Sequence, residues 1–164
     1  MIVLQLLGPT GVGKTHWGQR LAASFPHVVF KDLDTEVAPD ALTFFRMGGP
    51  ERFLERSLDC LYALSEASEK YVVATGAGTL WSACYTRREQ DLLAYTPVLA
   101  LWAEAHWLWH HLHGTRQEQR SLEQIKRTEY SPQHKQLYAE VDCIDRTQMT
   151  EAQLLAALRQ RVSI

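Results

Sequence analysis

Gly8-Pro9-Thr10-Gly11-Val12-Gly13-Lys14-Thr15 governs how the remainder of this chain is interpreted. It fits G-x-x-x-x-G-K-[ST], the phosphate-cradling loop. It lies where the mechanism needs it, directly after the apolar run Ile2-Val3-Leu4-Gln5-Leu6-Leu7 and directly before a helical pattern. Without side chains at Gly8, Gly11 and Gly13, the backbone can turn its N–H groups inward. The loop from Gly8 through Thr10, Gly11, Val12 and Gly13 then becomes an anion nest for a polyphosphate. Lys14 adds a point charge for the outer phosphates, and the Thr15 hydroxyl is a hard oxygen suited to Mg²⁺. The N-terminus of the following helix adds the positive end of its dipole. The competing reading is a Gly-rich turn with no ligand, which the preceding strand disfavours.

Beyond the loop, 164 residues are expected to form one domain over 1–164. A net charge of −2 gives no bulk attraction to nucleic acid or to an anionic membrane. Cys60, Cys84 and Cys143 are odd in number and lack C-x-x-C spacing, so neither a disulfide framework nor a zinc ribbon is indicated and a reducing, cytoplasmic setting is expected. The apolar start has no basic flank and runs straight into the glycine loop, so it reads as a buried first strand rather than a signal peptide. No run approaches the length of a membrane span. A monomer is expected, with a protein partner the alternative.

Trp17, Leu21 and Phe25 recur at helical spacing until Pro26. Val28-Val29-Phe30 reads as a second strand ending in Lys31-Asp32-Leu33-Asp34, and a short helix over 40–47 runs up to the break Gly48-Gly49-Pro50. A longer helix is expected over 51–69, and Tyr71-Val72-Val73-Ala74-Thr75 is a third strand closed by Gly76-Ala77-Gly78. A helix over 86–95, a fourth strand over 97–102 and a helix over 104–113 follow. Polar, unpatterned residues 114–120 read as a loop. Helical pattern resumes near Leu122 and continues to Tyr138 across Pro132; a last strand over 141–144 and a helix over 150–161 complete the chain.

Strands alternating with helices predict right-handed crossovers and a parallel sheet covered on both faces, with ligands beyond the carboxyl ends of the strands. That rule puts the phosphate loop, the Asp32 and Asp34 pair, and Gly76-Ala77-Gly78 on one rim. Asp32 suits a metal-bound water or an attacking hydroxyl, and Asp34 the hydroxyls of a substrate; the alternative is a pair of solvated turn carboxylates, one capping the next helix. The glycine triplet offers close approach to a small substrate or is only a tight turn. Arg116 and Arg120 could swing over a transferring phosphate or be ordinary charged surface. His106 and His110 have metal-ligand spacing, yet the interleaved Trp107, Leu108, Trp109 and Leu112 favour a packed helix with wet edges.

Taken together these residues resemble the shikimate kinase family, across nearly the whole chain. Gly8 to Thr15 is similar to its ATP loop, Phe30-Lys31-Asp32-Leu33-Asp34 to its F-x-D-x-D, and Val72 to Gly78 to its V-V-A-T-G-G-G. Arg120-Ser121-Leu122 is similar to its lid R-P-L, and Leu137-Tyr138 to its L-Y before the last strand. The resemblance implies an α/β three-layer fold with a five-stranded parallel sheet of order 2-3-1-4-5, substrate-binding helices over 36–69 and a lid over 113–122. It implies ATP and Mg²⁺ held by Lys14, Thr15 and Asp32, a γ-phosphoryl transfer assisted by Lys14, Asp32 and Arg120, and an acceptor bound by Asp34, Gly76, Ala77, Gly78 and the position of His134. His111 falls near the family's adenine-stacking arginine.

The departures cluster on the acceptor side. Leu54 stands where the family has the Arg of G-E-x-x-F-R, and His134 where it has a second carboxylate-gripping Arg; Ala77 replaces the middle glycine of the triplet. A carboxylate held by two guanidiniums cannot be held the same way by a leucine and a histidine. The expectation is therefore an ATP-dependent small-molecule kinase for which shikimate itself is a poor acceptor. The alternative is a non-catalytic nucleotide-binding or regulatory protein on the same fold, and a nucleoside-monophosphate kinase is a weaker third reading.

Overall fold

A computed structural model of the chain describes residues 1–37, 41–76, 96–116 and 119–162. In chain order the elements are β1 (Ile2–Leu7), α1 (Lys14–Ala22), β2 (Val28–Asp32), α2 (Leu33–Val37), α3 (Ala41–Glu66), β3 (Lys70–Ala74), β4 (Val98–Trp102), α4 (Ala105–Arg116), α5 (Leu122–Glu129), α6 (Pro132–Glu140), β5 (Asp142–Asp145) and α7 (Glu151–Arg159). A single turn of 3-10 helix, Arg146–Gln148, joins β5 to α7.

The five strands form one sheet of order β2-β3-β1-β4-β5. Every adjacent pair is parallel. The central β1 is buried along all of its residues, as a strand covered on both faces must be, and so its apolar run is continuous rather than alternating. On one face Leu6, Val72 and Leu101 pack with Trp17 and Leu21 of α1, Leu108 and Leu112 of α4, Ile125 of α5, and Leu154 and Leu158 of α7. On the other, Ile2, Tyr71 and Val73 pack with Leu33 and Val37 of α2 and Leu61 and Leu64 of α3. Leu7 and Ala100 meet Leu137 and Tyr138 of α6. The three-layer arrangement and strand order expected from the sequence are both present. Each fully buried leucine here contributes about 1.5–3 kcal/mol of transfer free energy.

The elements differ from expectation in ways with local causes. Asp32 closes β2, but the chain turns at once into α2, a short helix absent from the sequence reading because five residues carry no usable period. The break at Gly48-Gly49-Pro50 is confined to Gly49, whose φ of 77° and ψ of 170° separate two helical runs within α3. α4 continues through Gly114 to Arg116, where a loop is expected; the cost of about 1 kcal/mol for a helical glycine is small against the burial of Leu108 and Leu112. Pro132 does not merely interrupt a helix. It starts a new one, with Ser131 as N-cap accepting from the His134 amide. The helix expected over 86–95, together with Ala77, Gly78 and Cys84, lies outside the described residues.

Candidate active site

β1 delivers the glycine loop to the carboxyl edge of the sheet. Gly8 has φ of 147°, and a Cβ there would strike the carbonyl oxygen of Leu101 in the neighbouring β4, so only glycine lets the chain leave the sheet at this point. Gly13, at φ of 102°, is the left-handed N-cap of α1 and is crowded by Trp17 and Arg146. Lys14 Nζ donates to the carbonyls of Gly8 at 2.8 Å and Pro9 at 3.2 Å, so its ammonium is held across the loop mouth.

Asp32 arrives from the adjacent side. β2 pairs with β3 so that Asp32 stands opposite Ala74, which places its carboxylate next to Thr75 and Gly76 and in front of α1. Thr15 Oγ1 donates to Asp32 Oδ2 at 2.6 Å, while the other carboxylate oxygen accepts from the Asp34 amide at 3.3 Å. One oxygen of Asp32 thus caps the first turn of α2, as the turn-carboxylate reading has it, and the other meets Thr15 beside the loop. Asp34 is open to water within the cavity, yet its carboxyl lies above the ordinary 3.8 because desolvation by the surrounding rim, then repulsion from Asp32, outweigh the attraction of Lys14.

A cavity of about 510 Å³ joins these groups. It is lined by Gly8, Thr10, Gly11, Gly13, Lys14 and Thr15 of the loop and α1, by Asp32, Asp34, Thr35, Thr75 and Gly76 at the strand ends, and by Thr128, Glu129 and His134. His134 is half-buried on α6, and its Nδ1 is buried without a hydrogen-bond partner among the described residues. Burial also pushes the Tyr138 phenol, whose ring centroid is 6.3 Å from that of His134, well above its ordinary value.

Three expected site residues among those described sit outside this lining: Val12, whose side chain is buried in the core, Arg120 and His111. Arg120 reaches it through Glu129: its guanidinium donates to Glu129 Oε1 at 2.9 Å and to Thr128 Oγ1 at 3.3 Å. His111 stacks on Trp107 with ring centroids 4.8 Å apart and planes 10° apart. Arg146 covers the Trp107 ring at 4.8 Å and the Trp17 ring at 5.7 Å, and donates to the Val12 carbonyl of the loop. Glu129 and Arg146 escape the sequence reading. Arg146 follows the fifth strand and so falls under the same carboxyl-end rule that collects the other candidates. Glu129, at the end of a charged helix, carries no sequence signal.

Among the described residues, no group of three or more His, Cys, Asp or Glu side chains could hold a metal. The α4 histidines are drawn into ring contacts instead: Trp109 meets His110 at 4.8 Å and His113 at 4.4 Å. Thr15 and Asp32 offer two hard oxygens side by side, a donor set that fits Mg²⁺, which prefers few protein ligands and retained waters.

A parallel sheet of this order, entered through a glycine-rich loop beside a strand-end aspartate, is the P-loop kinase fold. The shikimate kinase profile matches residues 10–162, and the chain belongs to the shikimate kinase family. Its fold is similar to shikimate kinase from Acinetobacter baumannii in complex with shikimate (24% identity, 96% of this chain and 90% of that one, TM-score 0.74). It is also similar to shikimate kinase from Bacteroides thetaiotaomicron (19% identity, 96% and 94%, TM-score 0.72). A gluconokinase from Sinorhizobium meliloti shares the fold at 16% identity, over 96% of this chain and 87% of that one, with a TM-score of 0.60. No curated protein sequence matches the chain. No helix among the described residues is long and apolar enough to cross a membrane.

Proposed function

We infer that the chain, acting as a single domain with substrate-side helices over 36–69 and a lid over 113–122, transfers the γ-phosphoryl group of ATP to a hydroxyl of a small acceptor. The observation that carries this reading is the 2.6 Å contact between Thr15 and Asp32 at the mouth of a loop already spanned by Lys14. Phosphoryl transfer asks chiefly for positioning and charge neutralisation, and these groups supply both. Lys14 and the loop amides hold the phosphates; Asp32 orients the attacking hydroxyl and receives its proton; Asp34, with its raised carboxyl, binds the acceptor's hydroxyls. Bound by Thr15 and Asp32, Mg²⁺ would neutralise phosphate charge. Arg120 steadies the transferred group, and Gly76, Ala77 and Gly78 bind the acceptor. His111, with Trp107, flanks the base.

The acceptor is a neutral hydroxylated molecule rather than an acid. Leu54 and His134 replace the two guanidiniums that would grip a carboxylate, and the described cavity wall carries Asp34 and Glu129 instead. The scattered, odd-numbered cysteines support a reducing cytoplasm as the setting.

A coupled ADP-release assay with shikimate, neutral polyols, sugars and nucleoside monophosphates tests this reading. Stimulation by a neutral polyol or sugar above the ATPase background is expected. Nucleotide binding with no stimulation by any acceptor would favour the non-catalytic reading instead.

A further inference from the structure

Glu129 and the glycine loop are 119 residues apart in sequence, yet Glu129 Oε2 accepts from the Thr10 amide at 2.9 Å. Its other oxygen binds Arg120, and the carboxylate side chain is only 12% exposed. A backbone N–H of a phosphate loop and an arginine are the donors an incoming terminal phosphate would seek, and here a protein carboxylate already holds both. Glu129 also lines the same cavity as Lys14 and Thr15, so its charge faces the space into which the polyphosphate extends.

We propose that Glu129 is a specificity-determining residue that occupies the terminal-phosphate position in the nucleotide-free protein and surrenders Arg120 to that phosphate when a nucleoside triphosphate binds. This rests on the nucleotide-binding reading above. A diphosphate, whose charge ends short of the Arg120 pair, leaves the Glu129 bridge in place; a triphosphate must break it and then lie beside an unpaired carboxylate. Like charges at such separation repel strongly in a partly desolvated site. Glu129 therefore weakens binding of the triphosphate selectively, and in return keeps Arg120 beside the loop rather than in solvent.

Titration calorimetry of the full chain with Mg-ATP and, separately, Mg-ADP provides the test, because it needs no knowledge of the acceptor. In Glu129→Gln the amide oxygen can still accept from Thr10 while the charge is gone. The expected result is Mg-ATP bound about fivefold or more tightly than by the wild type, with Mg-ADP changed less than about twofold. Glu129→Ala shifts the ratio in the same direction and serves if the glutamine variant does not fold. A purely structural Glu129 would shift both nucleotides equally, and equal shifts, or a weaker grip on ATP alone, overturn the proposal. If the wild type binds neither nucleotide, the nucleotide-binding reading itself fails and this proposal with it; a wild type that binds both, alongside variants that do not discriminate, sinks this proposal only.

Discussion

The Thr15 hydroxyl and the Asp32 carboxylate are joined at 2.6 Å although one begins a helix and the other ends a strand on the far side of β3 from the central β1. Parallel pairing of β2 with β3 is what brings them together, because it aligns the carboxyl end of β2 with the start of α1. Asp32→Asn keeps the shape and an acceptor for Thr15 but removes the charge and the proton acceptor. Turnover is expected to fall by about 10²–10⁴-fold. Mg-nucleotide binding, measured by titration, should weaken but remain detectable through Lys14 and the loop amides; undiminished ADP release by the Asp32→Asn protein would remove Asp32 from the chemistry.

Asp34 links pH to stability. Its carboxyl lies above the ordinary 3.8 in the folded chain, so the folded state holds the proton more tightly than the unfolded one. Stability contributed by this group is therefore present below pH 3.8 and is lost as pH rises through the higher folded value, leaving a net penalty at neutrality. Asp34→Asn should raise the thermal midpoint at pH 7, with the gain shrinking as the pH is lowered toward 3.8. The same variant should lose acceptor-stimulated ADP release, the usual trade of stability against function. An unchanged midpoint across the pH series would contradict the assigned environment.

Restoring the lost clamp tests the reading of the acceptor side. Leu54 lies half-buried on α3 and His134 on α6, and each stands where the family resemblance places an arginine. Hydrogen bonds to charged groups are worth about 1.5–3 kcal/mol each, or about tenfold or more in affinity. Leu54→Arg combined with His134→Arg should therefore make shikimate a markedly better stimulant of ADP release than it is for the wild type. A double variant that folds, binds ATP and still ignores shikimate would show that the acceptor side differs by more than these two residues.

The interior beside the sheet holds a buried polar group of three side chains. Gln5 Nε2 donates to Thr96 Oγ1 at 2.5 Å, and Thr75 Oγ1 donates to Gln5 Oε1 at 3.3 Å, all three being buried. Thr96→Val leaves a buried amide donor without this partner and should cost about 1–3 kcal/mol in urea unfolding. Adding Gln5→Leu removes the stranded amide and should recover part of that loss. A double variant no more stable than Thr96→Val would mean that Gln5 finds another partner.

The legible parts of this protein are those whose chemistry is local. Gly8, Gly13, Lys14 and Thr15 stand out because the glycine-loop pattern lies within one short stretch of chain, and Gly49 and Pro132 mark breaks because glycine can take a positive φ and proline has a fixed φ and no N–H. Asp32 and Asp34 are legible through position, as the end of a strand is recognisable from the run before it. α2 is not, being too short for a period. The α4 extension past Gly114 is hidden from the sequence because packing of the helix outweighs the local signal.

Residue order alone is enough to specify the parallel α/β architecture, since apolar runs of strand length alternating with amphipathic helices admit few other ways to bury their faces. Beside the family resemblance it also displays that the glycine loop and the Asp32 and Asp34 pair match the family's motifs while Leu54 and His134 depart from them, because those differences are of residue type. Which distant side chains share the loop is settled only once the chain is packed: Glu129 lies 119 residues from Thr10, and Arg146 lies 134 residues from Val12. Such contacts depend on where separate helices and strands come to rest against one sheet, and no local pattern of residues encodes that distance.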